Sequence, residues 1–133
     1  MDHDHFIGQV QHRARLASRG DAETAVRATL ETLAERLLDD SAENLASELP
    51  RELGHHLRVT APKFERMSLK DFFDRVTERE NVDEPDAVYH ARCVIEVLSE
   101  AVSPGAMEKL RQQLPEEFEP LVSAGSEGRM RTR

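Results

Sequence analysis

Two stretches decide how this chain is read: "ELPREL" at Glu48 to Leu53 and "QLPEEF" at Gln113 to Phe118. Each sets Leu-Pro before a variable residue, a glutamate and a large apolar side chain, and they lie 65 positions apart. Proline lacks a backbone N–H and clashes with a preceding helical turn, yet it suits the first turn of a new helix. Leu49-Pro50 and Leu114-Pro115 therefore read as corners, where a leucine closes one short helix into the core and the next helix starts. The glutamate after each proline falls in the first turn, where the helix dipole favours a carboxylate.

Outward from these corners the correspondence continues. At an offset of 65, Asp21–Leu57 and Asp86–Val122 share 11 identities in 37 positions. They include Arg27 with Arg92, Glu31 with Glu96, Leu33 with Leu98, and Glu35 with Glu100. An offset of 66 sets Phe6, Ile7 and Val10 against Phe72, Phe73 and Val76, so one residue is lost in the second inter-helix turn. The apolar spacing is helical nearly throughout, as in Ala22, Val26, Leu30, Leu33 and Leu37, and no strand-like alternation competes. The expected fold is all-α: a compact bundle of about eight helical segments formed by tandem duplication. Two pseudo-symmetric helical repeats, 4–57 and 69–122, would share one core within a single domain, 1–122. Only two copies of so long a unit argue against an open solenoid.

Local signals set the boundaries. Phe6, Ile7, Val10 and Ala14 mark a first helix expected to end near Ala17, and "SRGD" from Ser18 supplies a break and an N-cap. Asp40 with Glu43 fits a capping box. A short helix is expected from Pro50 to about His56. Residues 58–68 read as a linker broken at Pro62 and anchored to the core by Phe64. Ser68 with Asp71 signals the next start, and "VDEPD" (Val82 to Asp86) the one after it. The tail 123–133, "SAGSEGRMRTR", has no apolar stripe and is expected to be disordered and basic.

This organisation also resembles a known family. "AVRATLETLAERLLDDSAENLASELPREL" (Ala25 to Leu53) resembles the segment that typifies DUF2267, a family built around a domain of unknown function. The matching elements are Arg27-Ala28, Leu30 with Leu33, Glu35-Arg36-Leu37, and Leu45-Ala46 leading to Leu49-Pro50. The likeness spans roughly residues 3–122. Where such proteins commonly place aromatic residues after Leu-Pro, this chain has "GHHL", Gly54 to Leu57. The resemblance implies a small all-α prokaryotic protein and brings no catalytic residue with it.

Charge narrows the functional classes. Eighteen basic and 26 acidic residues give a net charge of −8, which repels phosphate backbones and anionic lipid. This balance argues against nucleic-acid binding, for which the arginine tail would be the one seat. Only Lys63, Lys70 and Lys109 are lysines, a composition suiting either salt adaptation or a GC-rich genome. One cysteine, Cys93, allows no intrachain disulfide and reads as an inert, half-buried thiol. No apolar run suits a membrane span and the N-terminus does not resemble a signal peptide, so a cytoplasmic location is expected.

The histidines carry what chemistry the sequence offers. His5 and His12 are seven apart on one helix, and His55 and His56 follow the first Leu-Pro corner. Adjacent helical residues point about 100° apart, so His55 and His56 are poorly placed to share a metal. Arg27, Glu31 and Glu35, echoed by Arg92, Glu96 and Glu100, read as a salt-bridge row or as bridges between the repeats. No phosphate-binding glycine loop, nucleophile elbow or zinc motif is present. The expectation is a non-enzymatic protein-interaction or self-association module without a cofactor, its partner a protein or a second copy. The alternative is a metal- or small-ligand-binding protein drawing on His5, His12, His55, His56, Glu35 and Glu100.

Overall fold

A computed structural model describes residues 1–58 and 64–123, apart from the Asp39 side chain. The chain is all-helical: α1 (His3–Arg13), α2 (Arg19–Arg36), α3 (Asp39–Ser47), α4 (Arg51–Arg58), α5 (Leu69–Glu80), α6 (Glu84–Ala101), α7 (Pro104–Gln113) and α8 (Glu119–Val122). A single 3₁₀ turn, Glu116–Phe118, precedes α8. Among the described residues there is no strand, and no helix is long and apolar enough to cross a membrane.

The two longest helices form the centre. α2 and α6 each have 18 residues, begin 65 positions apart and pack against one another. Both are buried around much of their circumference, as a central helix must be. α1 packs on α2 and α6, while α5 packs on α6 and α2. α4 lies against α2, α8 against α6, and α3 meets α7. The core gathers Phe6, Phe72 and Phe118 with Leu30, Leu33, Ile95, Leu98 and Leu121, each essentially inaccessible. Full burial of side chains this large contributes about 1.5–3 kcal/mol apiece. Phe72 meets Phe73 and Phe118 edge-on, at centroid separations of 5.8 and 6.0 Å.

Helix starts follow the capping chemistry at most corners. The Ser18 hydroxyl accepts from Asp21 N at 3.0 Å, and Ser68 with Asp71 forms a reciprocal capping box. α6 starts at Glu84, with Pro85 in its first turn. Four expectations need correction. α1 stops at Arg13, because Arg15 takes a left-handed conformation (φ 57°) that ends the helix before Ala17. Asp40 and Glu43 form no capping box: α3 starts at Asp39 behind Leu38, without a side-chain cap, and Glu43 is held by Arg58. α4 runs from Arg51 to Arg58, one residue later than expected, and the Pro50 carbonyl accepts from Leu53 N and Gly54 N at 3.0 and 2.9 Å. Phe64 is not the linker's core anchor. It is 40% exposed, with the Arg36 guanidinium 5.1 Å from its ring centre, and Met67 supplies the buried contact instead. Pro62 and the tail beyond Ser123 lie outside the described residues.

The two short elements after the Leu-Pro corners differ. α4 continues for eight residues, whereas Glu116–Phe118 turns as 3₁₀ and α8 adds four more. Pro120 sits where α4 has His55, and its missing N–H forces the helical run to restart at Glu119.

Candidate functional site

α1, α2 and α4 enclose a cleft of about 780 Å³. The Asp2 cap, which accepts from His5 N at 2.8 Å, fixes the first turn of α1 and thereby places His3 at the rim. From α2, Gly20, Glu23, Thr24 and Arg27 line one wall, because residues three and four apart share a helix face. From α4, Arg51 and Glu52 stand one turn before His55 and His56 on the opposite wall. Ile7, 1% exposed, contributes an apolar patch. Arg19 fastens the mouth, reaching Asp4 at 2.7 Å and Glu23 at 3.3 Å.

The cleft balances two arginines against two glutamates and adds three histidines, in a strongly acidic chain. Neither Arg27 nor Arg51 hydrogen-bonds or ion-pairs through its side chain with another described residue. Arg13, Arg19, Arg58, Arg75 and Arg79, by contrast, each hold a carboxylate. The His55 and His56 rings lie 6.1 Å apart and 60° from parallel. Burial depresses the His56 pKa below the ordinary histidine value, and the positive charges of His55, Arg27 and His3 push it the same way.

Of the residues singled out from the sequence, the structure brings His55 and His56 together in this cleft. His5 and His12 are exposed on α1 and do not line it. Each glutamate is met by arginine. Glu100 takes Arg13 from α1 through two bonds of 2.8 and 2.7 Å, with Glu96 3.4 Å from the same guanidinium. Glu35 takes Arg75 at 3.0 Å and Arg79 at 2.5 Å, both from α5. These carboxylates join α1 to α6 and α5 to α2 rather than forming a solvated row. Among the described residues, no group of three or more His, Cys, Asp or Glu side chains is arranged to hold a metal ion. Cys93 is buried, which pushes its thiol up to about 11 and leaves it protonated at neutral pH.

A second cleft, about 530 Å³, opens where the α1–α2 and α5–α6 turns converge. Glu80 and His90 meet there in a short hydrogen bond between Oε2 and Nδ1, with side chains only 3% and 9% exposed. Burial raises the Glu80 pKa and outweighs the opposing influence of His90. Its other oxygen, Oε1, is buried without a hydrogen-bond partner among the described residues. The exposed ring of Tyr89 stands beside the pair, its hydroxyl donating to the Arg13 carbonyl at 2.6 Å. Glu80 is not among the residues singled out from the sequence. The signal was present: Glu80 follows Phe72 and Val76 at helical spacing on the core-facing stripe, a position where a glutamate needs a reason.

The fold and its clefts thus define a small helical protein with a polar, partly cationic recess. The chain belongs to the DUF2267 family, described as an uncharacterized conserved protein, whose sequence profile matches residues 3–121. No curated protein matches it.

Proposed function

We propose that this protein acts by binding rather than by turnover: it is a non-enzymatic interaction module whose recognition site is the cleft between α1, α2 and α4. The carrying observation is that this recess gathers three histidines with two arginines that hold no carboxylate among the described residues, and that neither serine nor cysteine lines it. Part of the same reading is an origin by duplication of a four-helix unit, supported by the 11 identities and by the equal lengths of α2 and α6. One copy then kept a filled surface while the other opened a recess. A cytoplasmic location and a surface suited to salt complete the reading, resting on composition alone.

Backbone amide spectra recorded during titration with a chemically mixed panel of small ligands and short peptides test the site. The expected outcome is saturable shifts at Thr24, Arg27, His55 and His56, with the ligand recovered unchanged. Shifts confined to the Glu80–His90 cleft, or conversion of the ligand, would overturn the reading.

A further inference from the structure

We infer that the cleft between α1, α2 and α4 takes a small oxyanion-bearing ligand, a phosphate or carboxylate group on a compact body, and that uptake of this group is linked to histidine protonation. The inference rests on that cleft being the binding site and adds the chemistry of what enters it.

Three observations support it. First, guanidinium groups present planar forks of donors matched to oxyanions, and in most of this protein a carboxylate already occupies them. Arg27 and Arg51 share a recess with no such partner among the described residues, so their donors remain available to a ligand. Second, the volume of about 780 Å³ exceeds what one bare anion fills, and Ile7 supplies an apolar wall for the rest of the ligand. Third, the formal charge of the lining changes where histidine titrates. With neutral histidines, Arg27 and Arg51 offset Glu23 and Glu52; each proton taken up by His3, His55 or His56 then adds one positive charge.

The charged groups facing His56 are cations, carboxylates held by arginine, and Glu52. α1 brings His3, α2 brings Arg27 and Glu23, and Glu23 is held by Arg19. On α4 itself stand Arg51, Glu52 and His55, while the α3 carboxylate Glu43 is occupied by Arg58. Burial first, and then the neighbouring cations, lower the His56 pKa, and an incoming anion would offset the cations. Bound oxyanion should therefore raise the pKa of His56, and binding should strengthen as pH falls through the histidine range.

Imidazole ring resonances of the full chain provide the test, with inorganic phosphate and succinate as separate probes at constant ionic strength. Saturable shifts are expected at His3, His55 and His56 and not at His5, His12 or His90. Binding should be roughly fivefold tighter near pH 6 than near pH 8. Arg27→Gln and Arg51→Gln should each weaken it by about tenfold without altering the amide spectrum elsewhere. A response to phosphate alone, or to succinate alone, decides which oxyanion the site prefers. Equal, non-saturating shifts at all six histidines, or affinity unmoved by pH and by both substitutions, would overturn the inference. If neutral or cationic ligands occupy the cleft and neither anion does, the site stands and its oxyanion chemistry falls. If nothing occupies it, both fall.

Discussion

The recess in the first half differs in chemistry from the positions 65 or 66 residues further along the chain. At the positions where α1, α2 and α4 present His3, Ile7, Glu23, Thr24 and His56, the second half carries Leu69, Phe73, Val88, Tyr89 and Leu121. Leu121 is fully buried and Phe73 nearly so, whereas His56 is half-buried and His55 exposed. The second half packs four of these positions against the core and leaves Tyr89 exposed, whereas the first keeps all but Ile7 polar. The short helix after the corner follows suit, since α4 extends through Arg58 while Pro120 shortens its counterpart. Polar groups at a packing position cost stability unless something satisfies them, and under the proposed function a ligand would do so in the first half.

Exchanging the two chemistries is the strongest way to break this comparison. Leu121→His should lose about 3 kcal/mol or more, because it removes a fully buried leucine and buries an imidazole with no arranged partner. The reverse change, His56→Leu, should alter stability by less than about 1 kcal/mol, since the position borders a recess instead of a closed core. Urea denaturation of both variants measures the asymmetry. Equal losses would mean that the first-half surface is as tightly packed as the second.

Gly54 tests the same contrast in the backbone. A Cβ there would sit 2.9 Å from the Ala46 carbonyl oxygen, so the close approach of α4 to α3 depends on glycine. Gly54→Ala should cost about 1–2 kcal/mol through forced separation of the two helices. Gly105, in the first turn of α7, has nothing within 4 Å of such a Cβ, and Gly105→Ala should be neutral or stabilising by up to about 1 kcal/mol. Thermal unfolding of the pair decides it. A gain at Gly54 would show that α3 and α4 yield easily.

The ion pairs crossing between the halves come next in size. Arg79 holds Glu35, whose side chain is 13% exposed, and also donates to the Thr32 hydroxyl at 2.9 Å. Arg13 holds Glu100, which is 45% exposed. Removing a partner from the less exposed pair should cost more: about 1–2 kcal/mol for Arg79→Ala against less than about 1 kcal/mol for Arg13→Ala. Chemical denaturation at low and high salt checks both values, and the Arg13 effect should fade with salt.

Much of this frame was legible in advance, because helix periodicity and caps are local. Ser18, Ser68 and Pro85 announce their helices through residues only three or four positions away. The errors arose where distant groups intervened. Asp40 and Glu43 look like a cap until Arg58 claims Glu43, and Phe64 looks like a core anchor until Arg36 stands over its ring. The repeated glutamates were correctly suspected of bridging helices, yet their arginine partners lie 87 and 44 positions away and periodicity cannot name them. The cleft was half legible. "GHHL" marked where the two halves part, but that Arg27 and His3 would join His55 and His56 depends on how α1, α2 and α4 pack. Glu80 with His90 was missed because each looked ordinary alone.

Titration gives the last and smallest test, and it separates the two buried polar sites by sign. The Glu80 pKa is raised by burial, so the folded state binds that proton more tightly than the unfolded chain. Its contribution is fully present below the ordinary glutamate value and is lost as pH rises through the folded value. Glu80→Gln should therefore gain on the parent protein as pH increases, and the two should converge in acid. A parent most favoured at neutral pH would mean that pairing with His90 outweighs burial. His56 behaves oppositely. Its pKa is lowered, so its contribution is present above the ordinary histidine value and is lost as pH falls through the folded one. The stability difference between the parent and His56→Leu should hence shift in favour of the variant on acidification from about pH 7 to pH 5, above most carboxylate titration. Saturating oxyanion should reverse that trend, because a bound anion favours the protonated ring. The filled second half has Leu121 at this position and can offer no such reversal, so its appearance would tie the chemical difference between the halves to binding.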